Sequence, residues 1–135
     1  MIEIHHLGVV SRDLKSALRY FQIDESQIKE IIDDEIQNHI LHIIRMEKQN
    51  MWLEILVPKN DKSTTYNFAK KFNVGLHHLG YLCDDIMMKK EEFSSNMDAV
   101  YLGTHNTTIF EYGGEVKTLF FSIKGMISEF VEKKH

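Results

Sequence analysis

The sequence predicts an α+β chain built as two sister βαβββ modules, and three observations carry that prediction. The tetrapeptide His-His-Leu-Gly stands at His5–Gly8 and again at His77–Gly80, 72 residues apart in a chain of 135. The surroundings of the two copies agree in kind: IEIHHLGVVSRDLKSAL and VGLHHLGYLCDDIMMKK each run from apolar residues to a short polar stretch with Asp and then a helix-like segment. Further on, Trp52-Leu53-Glu54-Ile55-Leu56 and Ile127-Ser128-Glu129-Phe130-Val131 are apolar runs with one Glu inside. His6 precedes Glu54 by 48 residues and His78 precedes Glu129 by 51, so the halves agree to within a short loop. Two copies of so long a period do not make a solenoid. They predict one pseudo-symmetric domain, with module one at 1–58, a linking helix at 59–73 and module two at 74–135.

Each element follows from local pattern. Ile2–Val10 is apolar and β-branched enough for a strand. Ser11 is the expected helix cap, and Arg12–Phe21 places Leu14, Leu18 and Phe21 near helical spacing. Gln27–Asp33, His39–Met46 and Met51–Val57 read as strands, the last ended by Pro58, which lacks a ladder donor. Asp61–Phe72 reads as a helix with Tyr66, Phe68, Ala69 and Phe72 on its apolar face. In the second half Leu76–Cys83 is a strand. Asp84 or Asp85 caps a helix that runs to about Asn96. Val100–Leu102 and Thr107–Glu111 are short strands. Tyr112-Gly113-Gly114-Glu115 is a turn, and Val116–Ser122 and Met126–Val131 are the last strands.

Composition narrows the classes of function. Sixteen basic and 20 acidic side chains give a net charge of -4, with no basic stripe for nucleic acid. Hydrophobic residues at 43% and charged residues at 27% are ordinary for a globular chain, not a disordered one. No apolar run reaches the length of a membrane span. The start MIEIHHLGVV has no basic segment or cleavage site of a secretory signal, and the single Cys83 fits a reducing compartment. The expectation is a cytoplasmic enzyme or binding protein, with no nucleic-acid or membrane partner. Cys83 lacks a paired base and is read as inert.

Side chains alternate across a strand, so only one His of each pair faces a given side. A Glu inside an apolar strand is costly in a dry core unless it is partnered. Two imidazoles, one from each His-His pair, together with Glu54 and Glu129 form a mixed N/O set. Such a set suits one divalent ion among Zn, Fe, Mn, Co and Ni. The remaining His of each pair is assigned to packing or to hydrogen bonding with a ligand.

At these residues the chain resembles a known family. IHHLGVVSRDLKSALRYF resembles the opening of vicinal oxygen chelate proteins, the glyoxalase, bleomycin-resistance and dioxygenase superfamily. GLHHLGYLCDDI resembles the start of their second module. WLEILVP and FFSIKGMISEFVE resemble the strands that supply the remaining ligands. The likeness spans essentially the whole chain and lies nearest to short methylmalonyl-CoA epimerase-like members. It implies an open, cupped eight-stranded mixed sheet and the metal ligands His6, Glu54, His78 and Glu129. It also implies a homodimer, and chemistry in which the metal stabilises an enolate beside a substrate carbonyl.

One position departs from the epimerase pattern. The epimerases carry a further Glu base on a middle strand of the first module, where this chain reads His39-Ile40-Leu41-His42-Ile43-Ile44-Arg45. His42 is the nearest equivalent and is a candidate proton carrier, alongside Glu129 or Glu54 acting as a loosened ligand. Arg45 is a candidate for an anionic substrate group. Tyr112-Gly113-Gly114 is a candidate loop over the site. Trp52, Tyr81, Tyr101, Phe120 and Phe121 are assigned to core and wall.

The expected function is a metal-dependent isomerase, epimerase-like, or a glyoxalase-like lyase on a small carbonyl compound. A metal-dependent dioxygenase and a non-catalytic binder of an antibiotic or other small ligand are the alternatives. A dioxygenase uses two His and one Glu, which a ligating Glu54 disfavours. The binder lacks the ligand set.

Overall fold

The computed structural model describes residues 2–134. The fold is α+β, with an eight-stranded mixed sheet in the order β2-β3-β4-β1-β5-β8-β7-β6. The strands are β1 (Ile4–Ser11), β2 (Ile28–Asp34), β3 (His39–Met46), β4 (Met51–Pro58), β5 (Val74–Cys83), β6 (Ala99–Ile109), β7 (Gly114–Ile123) and β8 (Met126–Glu132). The helices are α1 (Leu14–Phe21), α2 (Tyr66–Phe72) and α3 (Ile86–Ser94). Each half is therefore strand, helix, three strands, as the repeat predicts. No helix among the described residues is long and apolar enough to cross a membrane.

The chain divides into two compact units. One is Leu7–His77. The other joins the residues up to His6 with those from His78 onward. The N-terminal strand is thus shared, and the His5-His6 pair belongs with the second half of the sequence.

In the first of these units β2, β3 and β4 form an antiparallel ribbon. Val9, Ala17, Ile44, Leu53 and Ile55 make its buried core, with Leu14, Leu18 and Phe21 of α1 packed on it. The cap of α1 differs from expectation. Asp13 caps the helix, its carboxylate accepting from the Ser16 N–H at 2.8 Å. Ser11 is instead the buried last residue of β1, its hydroxyl donating to the Asp13 carbonyl. Asp competes for the cap as well as Ser does, and here the strand keeps Ser11. Helix α2 is shorter than its apolar pattern, because the chain around Asn60–Ser63 turns first. The Asn60 side chain accepts from the Lys62 N–H and its carbonyl from the Ser63 N–H. Such local bonds compete with helix.

In the second unit β5 and β8 run parallel, and β7 pairs antiparallel with β8 and β6. Cys83, Ile86, Leu119, Phe121 and Phe130 form the buried core beneath α3, with Tyr81 and Phe93 against it. Asp85 caps α3 through the Met87 and Met88 N–H groups. Cys83 is buried and burial raises its thiol pKa, which fits an inert role. The two short strands expected around 100–111 are one strand, β6. Its register shifts between Tyr101 and Gly103, where Gly103 has φ +150°. A bulge of this kind breaks the alternation that marks a strand in sequence.

Candidate metal centre

Alternation on β8 decides which side Glu129 faces. Phe130 lies in the core under α3, so Glu129 faces the other side. The register sets Glu129 opposite Phe120 on β7 and beside Gly80 on β5. His78 shares the parity of Gly80, so it faces the same side as Glu129. The His78 ring meets the Phe120 ring edge-on at 5.8 Å.

His6 completes a triad within this unit. His6 Nε2 lies 2.7 Å from Glu129 Oε1 and 3.1 Å from His78 Nε2. His78 Nε2 lies 3.2 Å from the same carboxylate oxygen. His6 is 0% exposed, and His78 and Glu129 are buried beside it. Burial pushes the Glu129 carboxyl up. Charge and hydrogen bonds from His6 and His78 outweigh it and hold the carboxyl well below the usual range. An unscreened carboxylate is therefore favoured here only with positive charge beside it.

The donor set fits a divalent cation. Metal–ligand bonds of about 2.0–2.2 Å bring neighbouring ligand atoms to roughly 3 Å of one another, the spacing of these three atoms. The His6 ring is also held for the task. His5 Nδ1 lies 2.9 Å from His6 Nδ1, and in the tautomer in which His6 Nδ1 donates to His5, His6 Nε2 carries the lone pair that a metal needs. Metal-binding imidazoles are commonly oriented through their other nitrogen. Gly80 provides room, since a Cβ at that position would overlap the His6 imidazole. The Gly of the second His-His-Leu-Gly thus serves the His of the first.

The other site candidates fall as follows. Glu54 is buried on β4, opposite Ile43 of β3. Arg45 and Trp52 share its face, and the Arg45 guanidinium lies 4.8 Å over the Trp52 ring. Arg45 also donates to Asn50 Oδ1. His42 faces the opposite side. It pairs with Ile55, whose neighbours Ile44 and Leu53 form the core under α1. Its Nδ1 lies 3.0 Å from the Ile55 carbonyl, and desolvation lowers its pKa. In this geometry His42 is a packing residue rather than a neighbour of Glu54. His77 does not mirror His5, since its ring packs edge-on against Phe68.

Of two further residues at the site, the sequence placed Tyr112 only in a candidate loop and did not single out His105. Tyr112 ends a 3₁₀ turn (Phe110–Tyr112) and meets His5 edge-on at 4.5 Å, with its ring stacked near His6 at 6.4 Å. The turn signal was visible, but not its contact with a strand more than a hundred residues away. His105 lies opposite Thr118 on β7, and its ring is 5.5 Å from Phe120. It therefore shares the face of Glu129 and His78.

The chain is similar to a hypothetical protein from Bacillus halodurans C-125, at 19% identity and TM-score 0.78, covering 99% of this chain and 96% of that one. It is similar to methylmalonyl-CoA epimerase from Mycobacterium tuberculosis, at 17% identity and TM-score 0.79, covering 98% and 89%. It is also similar to a variant of Streptomyces coelicolor methylmalonyl-CoA epimerase in complex with 2-nitronate-propionyl-CoA, at 16% identity and TM-score 0.76, covering 98% of each. At such identities the likeness shows the fold alone. No curated protein matches significantly. Residues 5–103 match a family described as the Glyoxalase/Bleomycin resistance protein/Dioxygenase superfamily, and the chain belongs to it.

Proposed function

We propose that this protein is a divalent-metal-dependent isomerase of epimerase type, or a related lyase, acting next to a substrate carbonyl. The observation that carries the proposal is the convergence of His6 Nε2, His78 Nε2 and Glu129 Oε1 at 2.7–3.2 Å in a buried site. Glu54 is proposed as the fourth donor. Its support is its burial and its place in the repeat, matched to Glu129. Bound there, the ion would act as a Lewis acid that acidifies the hydrogen beside the carbonyl.

The chain's own residues have separable tasks in this reading. His5 holds the His6 ring in the ligating tautomer. Glu129, held ionised, has a second carboxylate oxygen with which to take a proton. His105, on the same face beyond Phe120, is the imidazole placed to take or return a proton from the other end of a bound substrate. Arg45 is proposed to hold an anionic substrate group, which suits a carboxylate-bearing acyl thioester. The similar solved structures of methylmalonyl-CoA epimerase support the thioester class. A homodimer is proposed as well, because β2 and β6 end the sheet order and expose Ile31, Val100, Tyr101 and Leu102.

A second reading has one observation in its favour. Two His and one carboxylate are the set used by non-haem Fe(II) oxygenases, and the triad taken by itself is that set. Elemental analysis of untagged protein decides between them. The proposal expects about one divalent ion per chain, lost in His78→Ala, and exchange of substrate α-hydrogen with deuterated solvent that needs no oxygen. Absence of metal after reconstitution would overturn the proposal. Oxygen consumption with Fe(II) would favour the second reading.

A further inference from the structure

Outside the metal centre, within residues 7–77, a cleft of about 360 Å³ opens between the end of β4, the start of α1 and one face of α2. Arg12, Lys59 and Lys70 line it, with Asn60, Tyr66 and Pro58, and no Asp or Glu does. This is a local inversion of charge in a chain whose net charge is -4.

The three cations are placed, not scattered. Tyr66 and Lys70 stand four residues apart on α2, so they present one face. The Arg12 N–H donates to the Asn73 carbonyl at 2.8 Å, which fixes the Arg12 backbone against the end of α2. Lys59 follows Pro58, the last residue of β4, whose φ is restricted by its ring. Lys59 is already bridged to Asp33 at 2.8 Å. No carboxylate among the described residues bridges Arg12. The neighbouring Asp13 carboxylate is taken by the Ser16 N–H and hydroxyl. No carboxylate among the described residues pairs with Lys70.

We propose that this cleft binds a phosphate group, with Arg12 and Lys70 as its principal contacts. A guanidinium fork and an ammonium facing one cavity match a tetrahedral dianion with several acceptor oxygens. Tyr66 adds a hydroxyl donor and an aromatic wall, which suits a phosphomonoester carrying a ring system as well as free phosphate. The site uses none of the metal ligands, so it stands independently of the metal reading.

The test is a titration of the full chain followed by amide chemical shifts, with inorganic phosphate in one arm and adenosine 3′,5′-bisphosphate in the other. Chloride at matched ionic strength is the control. Saturable shifts at Arg12, Tyr66 and Lys70 are expected. Arg12→Gln and Lys70→Gln each weaken binding by about tenfold or more, the loss of a charge-assisted contact. Lys59→Gln weakens it less, because Asp33 already offsets that charge. His78→Ala binds as the parent does, which separates this result from failure of the metal centre. A bisphosphate at least as much tighter identifies a phosphomonoester, and equal affinity identifies free phosphate. Shifts that chloride reproduces, or that survive both Gln variants in a chain of unchanged circular dichroism, would overturn the proposal.

Discussion

Gly80 exists to make room for His6. Any side chain at Gly80 would occupy the space of the His6 imidazole, although the two residues belong to different copies of the same tetrapeptide. Gly80→Ala therefore displaces a proposed ligand without touching its chemistry. The expected outcome is a loss of metal affinity of about tenfold or more and of stability by about 1–3 kcal/mol, the usual cost of overpacking. Competitive metal titration and chemical denaturation measure the two effects separately.

His5 reaches the metal centre through His6 Nδ1, 2.9 Å from its own Nδ1. His5→Ala leaves every proposed ligand in place and frees the ring that it holds. Metal affinity should fall by roughly 10- to 100-fold, the range for such orienting groups. His5→Gln, which retains a hydrogen-bonding group, should recover part of it. Equal affinity in the parent and in His5→Ala would remove His5 from the site.

His42 makes a pH prediction. Desolvation lowers its folded pKa below the ordinary value of 6.5, although the Ile55 carbonyl and the charge of Glu25 oppose the shift. The unfolded chain then binds the proton more readily than the folded one. Stability from neutral His42 is complete above about pH 6.5 and falls as pH drops through the interval down to the folded pKa. His42→Leu should flatten the difference in stability between pH 7 and pH 5 relative to the parent, with metal content unchanged. Denaturation midpoints across that interval test it.

Asp34 responds in a more acid window. The hydrogen bond with His39 lowers its pKa from 3.8 to about 2 against the opposing effect of burial, and the Gln37 N–H adds to the lowering. Its contribution is present above about pH 4 and is lost as pH falls towards 2. Asp34→Asn should cost about 1–2 kcal/mol at neutral pH and nearly nothing at pH 2, as read by urea denaturation at both.

Metal removal is expected to lower the melting temperature of the parent and to leave His78→Ala unmoved, because an ion bound only by the folded chain adds to its stability. Calorimetry with and without a chelator gives both values. Equal shifts in the two proteins would place the ion elsewhere.

The repeat made the order of elements legible, because HHLG and the Glu-bearing strands fix both ends of each module. It also singled out Glu129 and the two His-His pairs, within which the family resemblance implied His6 and His78. What the sequence could not show was the side on which His42 lies. In β3 both faces are buried, so HILHIIRM carries no alternation to read. Only the pairing of His42 with Ile55, and of Ile43 with Glu54, separates the two faces. The long strand β6 was hidden by the bulge at Gly103, and with it the position of His105. Tyr112 and His5 meet across most of the chain's length, a contact that no local pattern encodes.

The sharing of the first strand has a consequence for synthesis. His6 leaves the ribosome early, yet its partner Glu129 lies 123 residues later. A nascent chain that has formed the antiparallel ribbon of β2, β3 and β4 therefore cannot yet grip an ion with the triad. On the proposed reading, loading waits for β8. Contacts so distant in sequence form late, so the proposed ion would meet a nearly finished fold rather than an exposed pair of histidines.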